Sequence, residues 1–241
     1  MRSETNLLGQ PIGFAVAGWK PAQRPAHKVL QGSFCTLEPL DATRHAEELF
    51  AANALDAEGK NWTYLPYGPF DSFSSYNAWV EQCGSSADPL FFAIISNETG
   101  KAVGVASYLR IDPANGTIEV GHLNFSPLMQ KTPIATEAMW LMMREAFALG
   151  FRRYEWKCNA LNMPSRAAAQ RLGLSFEGVF RQAAVVKGRN RDTAWYAAID
   201  KEWPPLNAAF QQWLAPENFD SEERQRVSLS KLTGSILVRR G

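Results

Sequence analysis

The sequence predicts an α/β (α+β) fold with a mixed, mainly antiparallel central sheet that is flanked by helices. Two observations support this prediction. Three apolar, strand-like segments follow one another at residues 90–96, 102–111 and 117–125, and the Asn, Asp, Gly and Pro clusters between them are typical of tight turns. Strand-like and helix-like segments then alternate, which indicates that helices connect strands across a face of the sheet.

One strand and two helices are predicted before these three segments. Residues 33–38 form a short strand-like run, and Asp41 can then cap a helix that continues to residue 54. Aromatic residues at helical spacing predict a second helix over residues 74–82. Residues 62–70, between the two helices, contain too much Pro and Gly for a helix but are densely aromatic. We refer to residues 62–70 as the aromatic loop.

Helices and strands alternate in the second half of the chain. The predicted elements are, in order, a helix at residues 133–149, a strand at 153–158, a short helix at 163–172, and paired strands at 176–186 and 193–199. Thr132 as cap and Pro133 in the first turn mark the start of the longer helix. The basic turn at residues 187–191 is expected to be a solvent-exposed hairpin tip, although it could reach an acidic substrate.

These elements predict three segments along the chain. Residues 1–32 mix Gly, Pro and Ala with few periodic apolar positions, so they are expected to form an irregular N-terminal arm. Residues 33–200 are expected to form one domain. Residues 201–241 are expected to contain a docking helix, whose apolar residues share one helical face, and a basic tail.

Charge and composition exclude several classes of function. The 25 basic and 24 acidic residues leave a net charge of +1, so no overall field attracts nucleic acid or an anionic membrane. We find no apolar stretch of a length that would span a bilayer. The three cysteines and three histidines are scattered, which predicts neither disulfides nor a metal site and favours a reducing, cytoplasmic location.

The turn at residues 129–136 has the properties of an anion-binding site. Where a turn leads into a helix, the first backbone N–H groups have no partner within the helix, and the helix dipole makes that end partly positive. Phosphate groups bind readily at such a helix start. A capped helix without a ligand is the alternative, because short motifs of this kind often match by chance.

Four motifs occur in order within the predicted domain. They are Ile118-Glu119-Val120-Gly121-His122, Gln130-Lys131-Thr132-Pro133-Ile134-Ala135-Thr136, Asn162-Met163-Pro164-Ser165 and Leu172-Gly173-Leu174-Ser175-Phe176-Glu177-Gly178. With these motifs, residues 33–200 resemble the GNAT superfamily of acetyl-CoA-dependent N-acetyltransferases, in the branch of the ribosomal-protein serine/alanine N-acetyltransferases. The resemblance implies the GNAT-like acyl-CoA acyltransferase fold.

The resemblance also implies a reaction. Acetyl-CoA would be the cosubstrate, and its acetyl group would pass to a primary amine by direct attack in a ternary complex, without a metal. The acceptor, a small amine or a protein N-terminus, stays open, and the protein could be a homodimer. A non-catalytic acyl-CoA-binding or regulatory module is one alternative, and an interaction protein is another.

Two sets of residues are expected, from the resemblance, to hold the coenzyme. The CoA pyrophosphate is expected at Gln130, Lys131, Thr132, Ile134, Ala135 and Thr136. The pantetheine arm is expected at the backbone groups of Asn124, Phe125 and Ser126 and at Asn162. Pro133 stands where the family has a glycine and has no N–H to donate, but the N–H groups that follow it stay free.

Acetyl transfer requires a neutral amine, so a base must remove a proton from the ammonium form. From the resemblance, Glu119 is the first candidate, because it stands on the central strand where related enzymes often carry a carboxylate. His122, with an ordinary pKa near ~6.5, is the second. Strand alternation places them on opposite faces, so only one faces the cleft unless a bulge intervenes. Either residue could instead satisfy a hydrogen bond in the sheet. Ala184 stands where the ribosomal branch has a glutamate proposed as base, so that base is missing here.

Ser165 stands where many relatives have a tyrosine near the sulfur of CoA. A serine hydroxyl could relay a proton to the leaving thiolate or only orient it, and Asn-x-x-Ser before a helix is also a common cap. The resemblance implies that the acceptor wall lies between the first two helices, so Trp62, Tyr64 and Tyr67 of the aromatic loop are the candidates for substrate contact. The alternative is that these rings hold the loop in place by packing.

Overall fold

An eight-stranded sheet runs through the computed structural model, which describes residues 3–222 and 224–241. In chain order the strands are β1 (Ser3–Thr5), β2 (Pro11–Gly13), β3 (Leu30–Gln31), β4 (Cys35–Pro39), β5 (Leu90–Ser96), β6 (Ala102–Asp112), β7 (Thr117–Phe125), β8 (Arg153–Asn159), β9 (Ser175–Val186) and β10 (Arg189–Ile199). The spatial order in the large sheet is β3-β4-β5-β6-β7-β8-β10-β9, and β1 and β2 pair separately. The mixed, mainly antiparallel sheet predicted from the sequence is thereby confirmed.

Helices cover both faces of this sheet. They are α1 (Ala42–Ala54), α2 (Phe73–Gly84), α3 (Pro133–Ala148), α4 (Met163–Arg171), α5 (Trp203–Leu214) and α6 (Leu229–Thr233). Successive residues of β5 alternate between the two faces: Phe91 packs with the residues of α1 and α2, and Phe92 packs with those of α3. Two apolar cores therefore lie on either side of the sheet.

The sheet opens between β7 and β8. These two strands run parallel, joined by α3, and their ladder extends from Thr117 and Arg153 only to Val120 and Trp156. β7 continues to Phe125 and β8 to Asn159 without further pairing between them. The strands diverge beyond Val120, and α3 begins near the open end of this gap.

The N-terminal arm is not irregular throughout, contrary to the expectation from its Gly and Pro content. β1 and β2 form a hairpin, and Leu30–Gln31 pairs with β4, so the large sheet begins before residue 33. The hairpin forms because Asn6 Oδ1 accepts hydrogen bonds from the N–H groups of Leu8 and Gln10. The division of the chain at residues 32 and 200 stays a prediction.

The C-terminal residues pack on the domain. α5 lies against α3 and buries Leu206 and Phe210, and beyond α6 the Phe176 N–H donates to Arg239 O at 3.0 Å. Within the described part of the chain, no helix combines the length and the apolar character needed to cross a bilayer.

Candidate active site

Two adjoining cavities occupy the gap between β7 and β8. The helix-side cavity, of about 530 Å³, is lined by the start of α3 and by α4, and includes Lys131, Thr136 and Arg171. The hairpin-side cavity, of about 350 Å³, reaches the β9–β10 hairpin and includes Glu119 and Arg191. The residues that line both are Asn61, Tyr64, Leu123, Trp156, Asn162 and Ser165. The two cavities therefore form one continuous cleft, in which two ligands could bind and meet at these shared residues.

The helix-side cavity suits a phosphorylated ligand. Lys60, Lys131 and Arg171 give it positive charge, and the first turn of α3 offers N–H groups that have no partner within the helix. Arg171 Nη1 donates to Thr136 Oγ1 at 2.9 Å, which holds the guanidinium beside the helix start. Arg171 was not among the residues predicted from the sequence, because it comes from α4 and no local pattern links it to α3.

Some predicted coenzyme residues already have partners within the turn. The N–H groups of Gln130 and Thr132 donate to Ser126 O and Met129 O, at 3.2 and 3.3 Å. The Gln130 side chain donates to Phe125 O at 2.7 Å and to Asn61 Oδ1 at 2.9 Å. Gln130 thus ties the turn to the end of β7.

Other predicted coenzyme residues divide between the cleft and the core. Ala135 lines the helix-side cavity, whereas Ile134 packs against the core. Asn162 lines both cavities, and its Oδ1 accepts from the Ser165 N–H at 3.2 Å, so it is also the cap of α4.

The end of β7 is buried. The Ser126 hydroxyl donates to Val103 O at 2.6 Å. Among the described residues, the Asn124 amide is buried with no hydrogen-bond partner. Phe125 lines the helix-side cavity.

Glu119 is the centre of a buried charge cluster. Its side chain is 4% exposed; Oε1 lies 2.8 Å from Arg110 Nη1, and Oε2 lies 2.8 Å from Lys157 Nζ. Lys157 also pairs with Glu155 at 2.8 Å. Burial raises the pKa of the Glu119 carboxyl, and the hydrogen bonds and charges of Lys157 and Arg110 oppose this rise without cancelling it.

A bulge brings His122 to the same cavity as Glu119. Between the pairs Asn124–Val105 and Gly121–Ser107, β7 has two residues where β6 has one, and His122 has a φ of +52°. His122 and Glu119 both line the hairpin-side cavity as a result. The strict alternation expected from the sequence fails at this bulge.

The aromatic loop holds the His122 ring. Tyr67 lies parallel to the imidazole, with an angle of 8° between the planes, and its hydroxyl is 3.1 Å from Nδ1. Burial, together with the charges of Arg110 and Arg191, lowers the pKa of His122 to about 4. The imidazole is therefore neutral at pH 7.

The predicted acceptor residues separate into two groups. Tyr64 lines both cavities, and Tyr67 contacts His122. Trp62 is 4% exposed and does not line the cleft, because its indole packs against Phe70 and Tyr76 in the core. The burial of Trp62 therefore supports the packing alternative for this ring.

Ser165 lies where the two cavities meet. Its Oγ accepts a hydrogen bond from Trp156 Nε1 at 3.0 Å, and its own O–H can donate to another acceptor, with Cys158 Sγ as a neighbour. Trp156 was not predicted as a site residue; the parallel neighbour of β7 contributes it from the point where the ladder ends.

The β9–β10 hairpin reaches the aromatic loop. Its turn consists of Lys187 and Gly188, both with positive φ, rather than the five residues expected from the sequence. Lys187 Nζ donates to Trp62 O at 2.9 Å and to Gly68 O at 2.7 Å. The tip is solvent-exposed, as expected, but the Lys187 side chain ties it to the aromatic loop.

A sheet that opens between two parallel strands, beside a cationic helix start, suits the class of transferases whose donor carries phosphate groups. The chain belongs to the GNAT family of acetyltransferases, because the family model described as acetyltransferase (GNAT) domain matches residues 35–175.

The similarity extends to solved structures. A GCN5-related N-acetyltransferase from Brucella melitensis is 46% identical with a TM-score of 0.89, over 91% of this chain and 100% of that chain. The microcin C7 self immunity acetyltransferase MccE, solved in complex with acetyl-CoA and AMP, is 25% identical with a TM-score of 0.61, over 70% of this chain and 93% of that chain.

Curated relatives match a smaller part of the chain. The ribosomal-protein-serine acetyltransferase of Escherichia coli (strain K12) is 32% identical over 98 residues, which are 40% of this chain and 54% of that protein. The chain spans 63% of another curated relative. Within residues 3–222 and 224–241, no group of three or more His, Cys, Asp or Glu side chains is placed to hold a metal ion.

Proposed function

We propose that this protein transfers an acetyl group from acetyl-CoA to a primary amine by direct attack in a ternary complex. The observation that carries the proposal is the pair of adjoining cavities, one beside a cationic helix start and the other containing Glu119 and His122. They meet at Ser165 and Trp156, where the thioester of the donor and the amine of the acceptor would lie together. The acetyl-CoA complex of the related MccE structure supports the choice of donor.

Acetyl-CoA would enter the helix-side cavity and supply a thioester as the acetyl donor. Lys131 and Arg171 would neutralise the pyrophosphate, and the N–H groups of Ile134 and Ala135, which have no partner within the helix, would donate to its oxygens. Leu123 and Phe125, at the end of β7 that no longer pairs with β8, would line the path of the pantetheine arm toward Ser165.

Glu119 would accept the proton that makes the acceptor amine neutral, directly or through a water. Its raised pKa brings it closer to that of an amine, and it lines the cavity in which the amine would lie. His122 is the second candidate: when its Nδ1–H donates to the Tyr67 oxygen, Nε2 is free to accept a proton. As the C–S bond breaks, the Ser165 O–H would donate toward the thiolate, while Trp156 holds the oxygen in place.

The acceptor could be a small amine or a protein N-terminus, as the E. coli relative's name indicates for that protein. The three cysteines are unpaired and buried, which supports a reducing location, and we propose the cytoplasm. A homodimer stays a prediction.

The test is the release of CoA thiol from acetyl-CoA in the presence of a panel of amines and short peptides, with mass spectrometry of the products. We expect release that depends on one class of acceptor and that falls sharply in Glu119→Gln. If calorimetry shows that acetyl-CoA binds but no member of the panel is acetylated, the protein is instead a non-catalytic acyl-CoA-binding module.

A further inference from the structure

Four cationic side chains lie in or beside the hairpin-side cavity, and three of them have partners; Lys187 is the one that does not line the cavity. Arg110 and Lys157 pair with Glu119, each at 2.8 Å. Lys187 donates to two carbonyl oxygens of the aromatic loop. The fourth, Arg191, lines the cavity, yet within residues 3–222 and 224–241 its guanidinium has neither a hydrogen bond nor an ion pair, and its Nε is buried. This guanidinium therefore has donors that no group of the described chain satisfies.

Arg191 occupies a position from which it reaches into the cleft. It lies opposite Ala184 in the β9–β10 ladder, and both residues line the hairpin-side cavity. Ala184 offers no carboxylate to pair with it. Arg191 is also close enough to His122 that its charge contributes to lowering the pKa of the imidazole. The free cation thus lies beside the candidate base.

A partly buried guanidinium without hydrogen-bond partners costs folding free energy. A carboxylate or phosphate would satisfy its N–H donors with two parallel hydrogen bonds. Resting on the function proposed above, we infer that the acetyl acceptor is a small amine that carries an anionic group, and that Arg191 binds this group. Arg191 is then a residue that determines acceptor specificity.

The dimensions of the cleft agree with a small acceptor. The hairpin-side cavity is about 350 Å³, and Lys187 joins the hairpin to the aromatic loop at its margin. With the anionic group on Arg191, the amine would face Glu119 and His122. The acceptor's ammonium loses one proton to the base, its nitrogen then bonds to the thioester carbon as the C–S bond breaks, and the second proton goes to the sulfur. Charge pairing at Arg191 would also make His122 more basic.

The test compares amines that differ only in the anionic group: glycine with glycinamide, β-alanine with β-alaninamide, and 2-aminoethyl phosphate with ethanolamine. We expect the wild type to prefer the anionic member of at least one pair, and the responding pair shows whether a carboxylate or a phosphate is bound. In Arg191→Gln, kcat/KM for that anionic member should fall by about 10- to 100-fold, while its neutral partner changes little. Arg181→Gln is the matched control, since Arg181 is exposed on the same hairpin and lies outside both cavities.

Equal or better use of the neutral members by the wild type would overturn the inference, as would an unchanged preference in Arg191→Gln. A protein that acetylates none of these amines but acetylates others still satisfies the proposed function and contradicts only the inference. If no amine is acetylated, the proposed function fails, and binding of N-acetylglycine and of N-acetyl-2-aminoethyl phosphate to the CoA-loaded wild type and Arg191→Gln decides the inference. Binding that Arg191→Gln loses supports it, and absent or equal binding contradicts it.

Discussion

Lys187 Nζ lies 2.7 Å from the carbonyl oxygen of Gly68, and this contact joins two segments 119 residues apart, the β9–β10 hairpin and the aromatic loop. The same ammonium donates to Trp62 O at 2.9 Å. Both segments contribute walls to the hairpin-side cavity: Tyr64 and Pro66 come from the loop, and Ala184 comes from the hairpin. The lysine therefore joins two walls of the hairpin-side cavity, in which we propose that the acceptor binds.

Replacing Lys187 with Met should loosen the hairpin-side cavity and leave the helix-side cavity unchanged. We expect KM for the acceptor to rise about fivefold, equivalent to about 1 kcal/mol for the lost charge-assisted hydrogen bonds, while the affinity for acetyl-CoA stays as it is. Steady-state kinetics and calorimetry measure the two quantities. Lys101→Met, at the β5–β6 turn, is a control for loss of charge. A variant with an unchanged acceptor KM would show that this contact does not shape the site.

Glu119→Gln should separate catalysis from folding when it is compared with Glu155→Gln. Both carboxylates pair with Lys157, but only Glu119 lines the cavity. Removing a general base lowers kcat by about 10²- to 10⁴-fold, and we expect this loss only in Glu119→Gln. Both variants should lose stability, by about 1–3 kcal/mol in urea unfolding, since each leaves Lys157 one carboxylate. Equal loss of kcat in the two variants would indicate a structural role for Glu119.

The stability of the protein should depend on His122 in mild acid. Its pKa is about 4 in the folded protein, against ~6.5 in an unfolded chain, so between these values the unfolded chain binds more protons. The stability that the neutral imidazole contributes is present above pH ~6.5 and is lost as the pH falls toward 4.

Urea unfolding of wild type and His122→Gln at a series of pH values measures this contribution. Between pH 7 and 4.5 the wild type should lose about 2–3 kcal/mol more than the variant. Glu119 titrates in both proteins, so the difference between them isolates His122. Parallel pH profiles would show that the buried imidazole is not the group that titrates.

Arg171→Gln should weaken the binding of acetyl-CoA. Loss of a charge-assisted contact to the pyrophosphate predicts a Kd about 10-fold higher by calorimetry. Arg171 also contacts Thr136 and packs over Trp213, so the Tm of the variant is measured as well, to separate lost affinity from lost stability. Arg144→Gln is the matched control, since Arg144 stacks on Trp140 and lines neither cavity. Equal affinities in wild type and Arg171→Gln would remove Arg171 from the coenzyme site.

Ser165→Ala tests the leaving-group side of the reaction. Loss of a proton donor predicts a fall in kcat of about tenfold or more at unchanged acetyl-CoA affinity. Ser165→Thr, which keeps the hydroxyl, should recover part of the activity. If the alanine variant turns over normally, the Ser165 hydroxyl has no part in the reaction, and Ser165 contributes only its backbone N–H, which donates to the Asn162 cap of α4.

The elements of this fold follow local signals, which is why the sequence predicts them. Apolar segments separated by turn clusters became β5, β6 and β7, and Thr132-Pro133 starts α3 as expected. The strand that was expected at residues 193–199 is longer, because Lys187 and Gly188 form a two-residue turn that local residue counts do not specify.

The residues of the cleft follow local signals only in part. Glu119, His122, Ser165 and Asn162 lie in motifs, and all four line the hairpin-side cavity. Arg110, Trp156 and Arg171 come from three separate elements, and no pattern in the chain links them. The pairing of Lys157 with Glu155 was weakly indicated by the sequence, because the two residues are two apart on one strand and so face the same side of the sheet.

By itself, the sequence determined the class of fold, the helix start that suits a phosphorylated donor, and the candidate base, because each depends on residues that are neighbours in the chain. Only the tertiary structure decided that His122 shares a cavity with Glu119, that Trp62 belongs to the core, and that Arg191 faces the cleft without a partner among the described residues. The reason is physical: a bulge, the packing of a ring and the pairing of a charge all depend on segments that meet only when the chain folds.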